Sequence, residues 1–192
     1  MEKQLSKEEL IDLVEKTAHE YEFNYRGCAQ CTLKGIQDHL KVGDGGAFRS
    51  ASAMSGGLGM MGDSCGALVG AIMALGLVFG RREDELDNFP ALVKSFIPVR
   101  ALYGRFTQEF GGPTCREVQM KNLGKSFDLM GEFAQFREAG GHEACANVVG
   151  KAARMAAEMI VDADQWHERS AMIVEKALGA QAPDLLQKKS GD

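Results

Sequence analysis

The chain has 192 residues, 45% of them apolar, and a net charge of −5. That is enough for one domain with a proper core, and too acidic overall for nucleic acid or an anionic membrane to be a main partner. Aromatics make up only 7% against 10 Met and 23 Gly, which predicts a core of Ala, Leu, Val and Met packed closely through small residues. The longest apolar run, Cys65 to Gly80, is too short and too Gly-rich to span a membrane.

The N-terminal stretch is charged, helical in pattern and without a hydrophobic signal region, so the expected location is cytoplasmic. Ser6 with Glu9 reads as a capping box, and Leu10, Leu13, Val14, Ala18 and Tyr21 recur at helical spacing, giving a first helix over about 6–23. Asn24 to Gly27 breaks it. A second helix runs to about Leu40 with Ala29, Leu33, Ile36 and Leu40 on one face. Residues 41–63, rich in Gly, Ser and Met, read as a loop with a helical turn near Phe48 to Met54. A buried apolar helix follows over 64–79, ended by Gly80 and a charged boundary in which Arg81 and Arg82 meet Glu83, Asp84 and Glu85. Leu92, Phe96, Val99, Tyr103, Phe106 and Phe110 mark the next helical stripe, which Pro98 should kink or restart. Gly111-Gly112-Pro113 ends it, a short helix begins at Thr114, and a weaker one spans about 122–138. The clearest helix is 142–161, with Cys145, Val148, Val149, Ala152, Met155, Ala156, Met159 and Ile160 on one wide face. A last helix carries Trp166, Ile173, Val174 and Ala177, and the tail 181–192 should fray. No run alternates as a strand does. The expected fold is all-α, a compact bundle of about six or seven helices around the small-residue helix 64–79, forming one domain over 1–180.

Five cysteines in a reducing compartment point to catalysis, metal binding or redox chemistry more than to a disulfide framework. Cys28 follows Gly27, Cys65 follows Asp63-Ser64, and Cys115 follows Pro113-Thr114, so each sits just inside a helix start. Free N–H groups and the positive end of the dipole favour thiolate there, the form that binds iron or zinc and attacks disulfides. The competing reading is inert packing, because free Cys is among the most buried residue types, and Cys145 lies on its helix's apolar stripe. Cys28 and Cys31 form C-A-Q-C, which places both sulfurs near one side of a helix. Position 32 is Thr, so no haem is expected there, and no second C-x-x-C makes a zinc ribbon. A helical C-x-x-C peroxidase would have His where Gly35 stands.

The stretch Gly57-Leu58-Gly59-Met60-Met61-Gly62 matches G-x-G-x-x-G, but no strand precedes it, so no nucleotide is expected. Gly57, Gly59, Gly62 and Gly66 instead read as a tight loop and helix start that bring backbone close either to another helix or to a cofactor held near Cys65. His142, three residues before Cys145, falls on the same face as a possible extra ligand, with a capping or solvated role the plainer reading.

Cys65-Gly66-Ala67-Leu68-Val69-Gly70 is a C-G-A-x-x-G motif after a Gly-rich loop, with Cys28-Ala29-Gln30 upstream and single cysteines Cys115 and Cys145 downstream. This order resembles the redox-active family C_GCAxxG_C_C over about residues 10–161. The resemblance implies four functional cysteines, mapped to Cys28, Cys65, Cys115 and Cys145. The family is also similar to a domain of the split-Soret cytochromes, whose haem is attached elsewhere in the chain. Through those relatives the resemblance implies a cysteine-bound iron–sulfur centre, with the same four cysteines as metal ligands. Cys31 departs from the family pattern and reads as a resolving thiol or as packing. Four functions stay open: electron transfer through a cluster, thiol–disulfide exchange led by Cys28 or Cys65, a structural zinc, and an interaction domain with inert cysteines. A redox partner is expected in the first two, and a symmetric homodimer is the expected assembly.

Overall fold

The computed structural model describes residues 5–179; the tail expected to fray, 181–192, lies outside them. The described residues form α1 (Lys7–Tyr25), α2 (Cys28–Leu40), α3 (Gly45–Ser50), a 3-10 turn (Ala51–Met54), α4 (Ser55–Leu58), α5 (Gly66–Phe79), a second 3-10 turn (Glu83–Glu85), α6 (Phe89–Phe110), α7 (Cys115–Leu123), α8 (Phe133–Glu138), α9 (Gly141–Ile160) and α10 (Ala163–Gly179). The fold is all-α, and among the described residues the only extended pairing is an isolated antiparallel bridge between Ser64 and Thr114. Seven helices have nine residues or more, which matches the expected bundle. The short α3 and α4 are additions that periodicity cannot resolve at four to six residues.

Ser6 caps α1 as expected: its hydroxyl accepts from the Glu9 N–H at 3.2 Å and the Glu9 carboxylate accepts from the Ser6 N–H at 2.8 Å. α1 packs on α2 and α9, α2 on α5 and α9, α5 on α6 and α9, and α10 on α6. α5 is buried through the centre, but α9 shares that place, since it touches α1, α2, α5, α6, α7, α8 and α10. Small residues allow this crowding. Ala146, Ala152, Ala153, Ala156 and Ala157 of α9 are all fully buried. An added Cβ on Gly70 would sit 2.4 Å from the Ala29 carbonyl oxygen, so α5 and α2 meet there through backbone. Between these rows Leu33, Ile36, Leu68, Leu75, Leu102, Phe106 and Met159 have less than 2% of their surface exposed, each contributing about 1.5–3 kcal/mol on burial. Outside the core, Arg154 of α9 bonds Glu8, Asp12 and Glu15 of α1 and Glu158 of its own helix, clamping α9 to α1.

Three sequence expectations are corrected. α6 is one helix with Pro98 inside it, and its buried row is Pro98, Leu102, Phe106 and Phe110, spaced i, i+4; Phe96 and Tyr103 face solvent. The helix expected over 122–138 is only α8. α7 stops at Gly124 (φ +72°), and in the turn that follows the Asp128 N–H bonds the Glu132 carboxylate and the Met130 N–H bonds the Asp128 carboxylate. Such side-chain bonds compete with the helical ladder. Finally, Cys65 and Thr114 are N-caps rather than first helical residues, so α5 begins at Gly66 and α7 at Cys115.

Candidate functional site

Four helix starts converge on one cavity. The loop of residues 56–63 folds back on itself, the Gly62 N–H bonding the Gly56 carbonyl and the Asp63 N–H the Gly57 carbonyl, each at 3.1 Å. Its end pairs with the segment before α7: Cys65 N–H donates to the Pro113 carbonyl at 2.8 Å and Cys115 N–H to the Asp63 carbonyl at 2.6 Å. This bridge holds Cys65 and Cys115, 50 positions apart in the chain, side by side. Cys28 reaches them as the first residue of α2, over the α2–α5 contact at Gly70. Cys145 comes from the second turn of α9.

Cys28, Cys65, Cys115 and Cys145 all line this cavity, whose volume is about 210 Å³. The four cysteines singled out in the sequence are therefore brought together. Cys31 is not. It lines a different pocket with Tyr21, Tyr25 and Arg26, and its thiol donates to the Arg26 carbonyl at 3.2 Å.

Two of the four glycines singled out hold the cysteines. An added Cβ on Gly66 would lie 2.3 Å from Cys28 Sγ, and one on Gly57 (φ +75°) would lie 2.8 Å from the Cys115 Cβ and 2.6 Å from Asp63 backbone. Gly62 packs under Arg116, and Gly59 faces open space. The cavity wall itself is made by Gly27 and Gly56 instead.

The electrostatics run against the expected thiolates. Burial pushes the Cys28 thiol up to about 12, and the nearby Glu22 carboxyl adds to the shift. Cys65 is raised by burial and by the neighbouring Cys28 and Cys115, and Cys145 is raised well above the ordinary thiol range by burial first. Cys115 is raised by burial, with Gln119 and Arg116 opposing. Helix-start N–H groups of α5, those of Ala67 and Leu68, do act on Cys65, whereas on Cys28 the N–H comes from Gly56 of the loop across the cavity and not from the start of α2. Desolvation outweighs them, so with nothing bound the site holds neutral thiols.

Sequence reasoning missed three polar neighbours. Glu22 of α1 is 5% exposed, lines the cavity, and has a carboxylate oxygen with no hydrogen-bond partner. Burial raises it to about 7, while the Cys31 thiol and Arg26 pull it back. Ser55, also on the wall, has a buried hydroxyl beside the Cys28 sulfur and no oxygen or nitrogen partner. Gln119 of α7 donates to Cys115 Sγ at 3.3 Å. A charged residue on an apolar helical face was the available signal for Glu22; nothing in the sequence marks the other two. Arg26 lies between these groups with φ 64° and ψ 169°, a region that favours glycine. Its guanidinium donates to the Glu22 carbonyl at 2.7 Å and to His142 Nδ1 at 2.6 Å. His142 thus spends one nitrogen on Arg26 and packs between Phe133 and Phe136, half-buried and off the cavity wall. Met60 and Phe133 line the cavity and are 42% and 45% exposed, which marks where it meets solvent.

A cysteine-bound group fits these residues. Four sulfurs share one cavity, and O–H or N–H donors are placed against three of them, Cys28, Cys65 and Cys115. Among the described residues no three Cys, His, Asp or Glu side chains are gathered tightly enough to hold a single metal ion.

No helix among the described residues is long and apolar enough to cross a membrane. No curated protein and no solved structure matches the chain. A family model described as "Putative redox-active protein (C_GCAxxG_C_C)" matches residues 26–159, which take in the four cavity cysteines and the helices that carry them. The chain belongs to the C_GCAxxG_C_C family.

Proposed function

We propose that Cys28, Cys65, Cys115 and Cys145 form one redox centre that holds an iron–sulfur cluster and passes single electrons to a partner. The observation that carries this reading is the convergence of these four cysteines, from four helices, on one cavity that excludes Cys31. Such a cluster supplies reversible one-electron transfer. The chain's own part is to bring four sulfurs to it, each giving up its thiol proton on ligation. Gly56, Ala67 and Leu68 N–H groups face the charge that develops on Cys28 and Cys65. Val148, Val149 and Ala67 keep the wall dry, and the exposed Met60 and Phe133 give a short route to a partner at the mouth. Thiol–disulfide exchange is the weaker use of the site, because the attacking species is a thiolate and burial holds these thiols neutral.

The test is an absorption spectrum of protein purified without oxygen, with iron, sulfide and zinc assayed on the same sample. A brown protein with near-equal iron and sulfide, reduced in content by Ser at any of the four cysteines, supports the reading. A colourless protein without iron overturns it. A thiol count before and after oxidation then decides between disulfide exchange and inert packing.

A further inference from the structure

We propose that Gln119 is a positioning residue of the cysteine centre, whose amide N–H stabilises negative charge on the Cys115 sulfur and so raises the reduction potential. This rests on the reading that the four cysteines hold an iron–sulfur cluster, because a ligating sulfur carries the negative charge that a neutral thiol lacks.

The geometry leaves the amide one orientation. Gln119 is 3% exposed. Its Oε1 accepts from the Phe127 N–H at 2.7 Å, and that bond obliges the nitrogen end to face Cys115, where Nε2 lies 3.3 Å from Sγ. An amide set the other way would turn its N–H against the Phe127 N–H and lose that bond. Phe127 is itself fixed, 9% exposed and edge-on to Phe136 with ring centroids 5.9 Å apart. The sulfur, the glutamine and the turn that follows α7 are thus tied in series.

Burying a glutamine costs free energy unless both ends are bonded. A neutral thiol is a weak acceptor, and bonds to a charged acceptor are roughly twice as strong as neutral ones. Aiming a rigid buried donor at sulfur therefore gains most when the sulfur carries charge. Gln119 also stands four residues after Cys115 on α7, so a chance i,i+4 contact is the plain alternative. The two differ in one respect. A merely packed glutamine changes stability when replaced and leaves the potential alone.

The experiment is a mediated redox titration of the full chain, purified without oxygen, comparing the native protein with Gln119→Leu, Gln119→Met and Glu132→Ala. Gln119→Met keeps the length and loses the N–H donor without adding charge, and it serves where the leucine variant fails to fold. Glu132→Ala loosens the turn after α7 without touching a sulfur. Iron and sulfide are assayed on each sample. The reduction is followed by absorbance where iron is present, one electron from the dye per centre. An N–H donor to a ligating sulfur favours the reduced, more negative cluster. The expected result is a lower potential in both Gln119 variants at unchanged iron content, with Glu132→Ala at the native value. Equal potentials in the native protein and the Gln119 variants overturn the inference. A native protein without iron refutes the cluster, and with it the charged sulfur that Gln119 would stabilise.

Discussion

Gly66→Ala separates holding the fold from holding the site. The new Cβ would lie 2.3 Å from Cys28 Sγ, 3.1 Å from the Met54 carbonyl oxygen and 3.2 Å from the Ala29 nitrogen. Restoring ordinary contact moves the sulfur by about 1 Å, several times the ~0.2 Å to which metal–ligand distances are held. The sulfur is the end of a side chain and can swing away, so the cost in stability is modest. Overpacking takes about 1–3 kcal/mol and the helical preference of Ala over Gly returns about 1. The net loss of about 0–2 kcal/mol corresponds to a fall in Tm of no more than about 8 °C for a chain of this size. Gly70→Ala is the contrast. Its Cβ meets the Ala29 carbonyl oxygen at 2.4 Å, a backbone atom that cannot step aside, and we expect a loss of about 3 kcal/mol or more. Thermal melts by circular dichroism, with iron per chain on the same preparations, give both quantities. Gly66→Ala should melt near the native protein and hold less than half its iron. Full iron in a stable Gly66→Ala protein would refute the argument, as would an unfolding as deep as that of Gly70→Ala.

Cys31→Ser should keep the native iron content and spectrum, because Cys31 faces another pocket; a loss as large as that of Cys145→Ser would put Cys31 in the centre. Glu22 makes metal-free stability depend on pH. Its carboxyl, raised to about 7 in the folded chain, stays protonated longer there than in the unfolded one. Its contribution is therefore full below about 4.5 and gone by about 7, a change of at most ~3 kcal/mol. The cysteines, all shifted upward, stay protonated in both states across that range. Urea unfolding at pH 5 and pH 8 should show Glu22→Gln gaining on the native protein by up to that amount, and a constant difference would show that Glu22 titrates normally. Arg154→Met leaves the Glu8, Asp12 and Glu15 carboxylates of α1 without their cation, while Glu158 keeps Arg105. We expect a loss of about 1–2 kcal/mol at low salt, shrinking in 1 M NaCl; a loss independent of salt would assign the effect to packing.

Much of the bundle was legible because its helices announce their own ends. The Ser6–Glu9 box, Gly27, Gly111 and the Gly140-Gly141 pair are local signals, and the structure places helix boundaries at each. The errors fall where tertiary contacts choose among local options. The stripe of aromatics on α6 named Phe96 and Tyr103 as core, yet the face turned inward is the row from Pro98 to Phe110. The 124–132 turn looked helical because its competing bonds, from Asp128 to Glu132 and from Phe127 to Gln119, are specific rather than periodic. At the site, the cysteines were legible as a set and their thiolate character was not. Helix-start N–H groups can be inferred from a sequence, but the depth of burial that overrides them depends on four helices meeting.

That override is itself informative about how the site works. The cavity gathers four thiols, a carboxyl with an unbonded oxygen, and a hydroxyl with no oxygen or nitrogen partner, a set of groups that is poor at stabilising a core. Arg26 adds backbone strain of about 1–3 kcal/mol next to Cys28, held in place by its bonds to the Glu22 carbonyl and His142. Larger apolar side chains at these positions would fill the cavity and stabilise the bundle more. The packing around it is otherwise dense, with alanines and glycines placed so that backbones touch. A strained, thiol-lined cavity within such packing is what a bound group would stabilise: four sulfurs ligated together lose their protons, accept the N–H and O–H donors already facing them, and fill the space. On the proposed reading the four cysteines act as one ligand set, and the chain's stability should rise on loading by as much as the group binds the folded state alone.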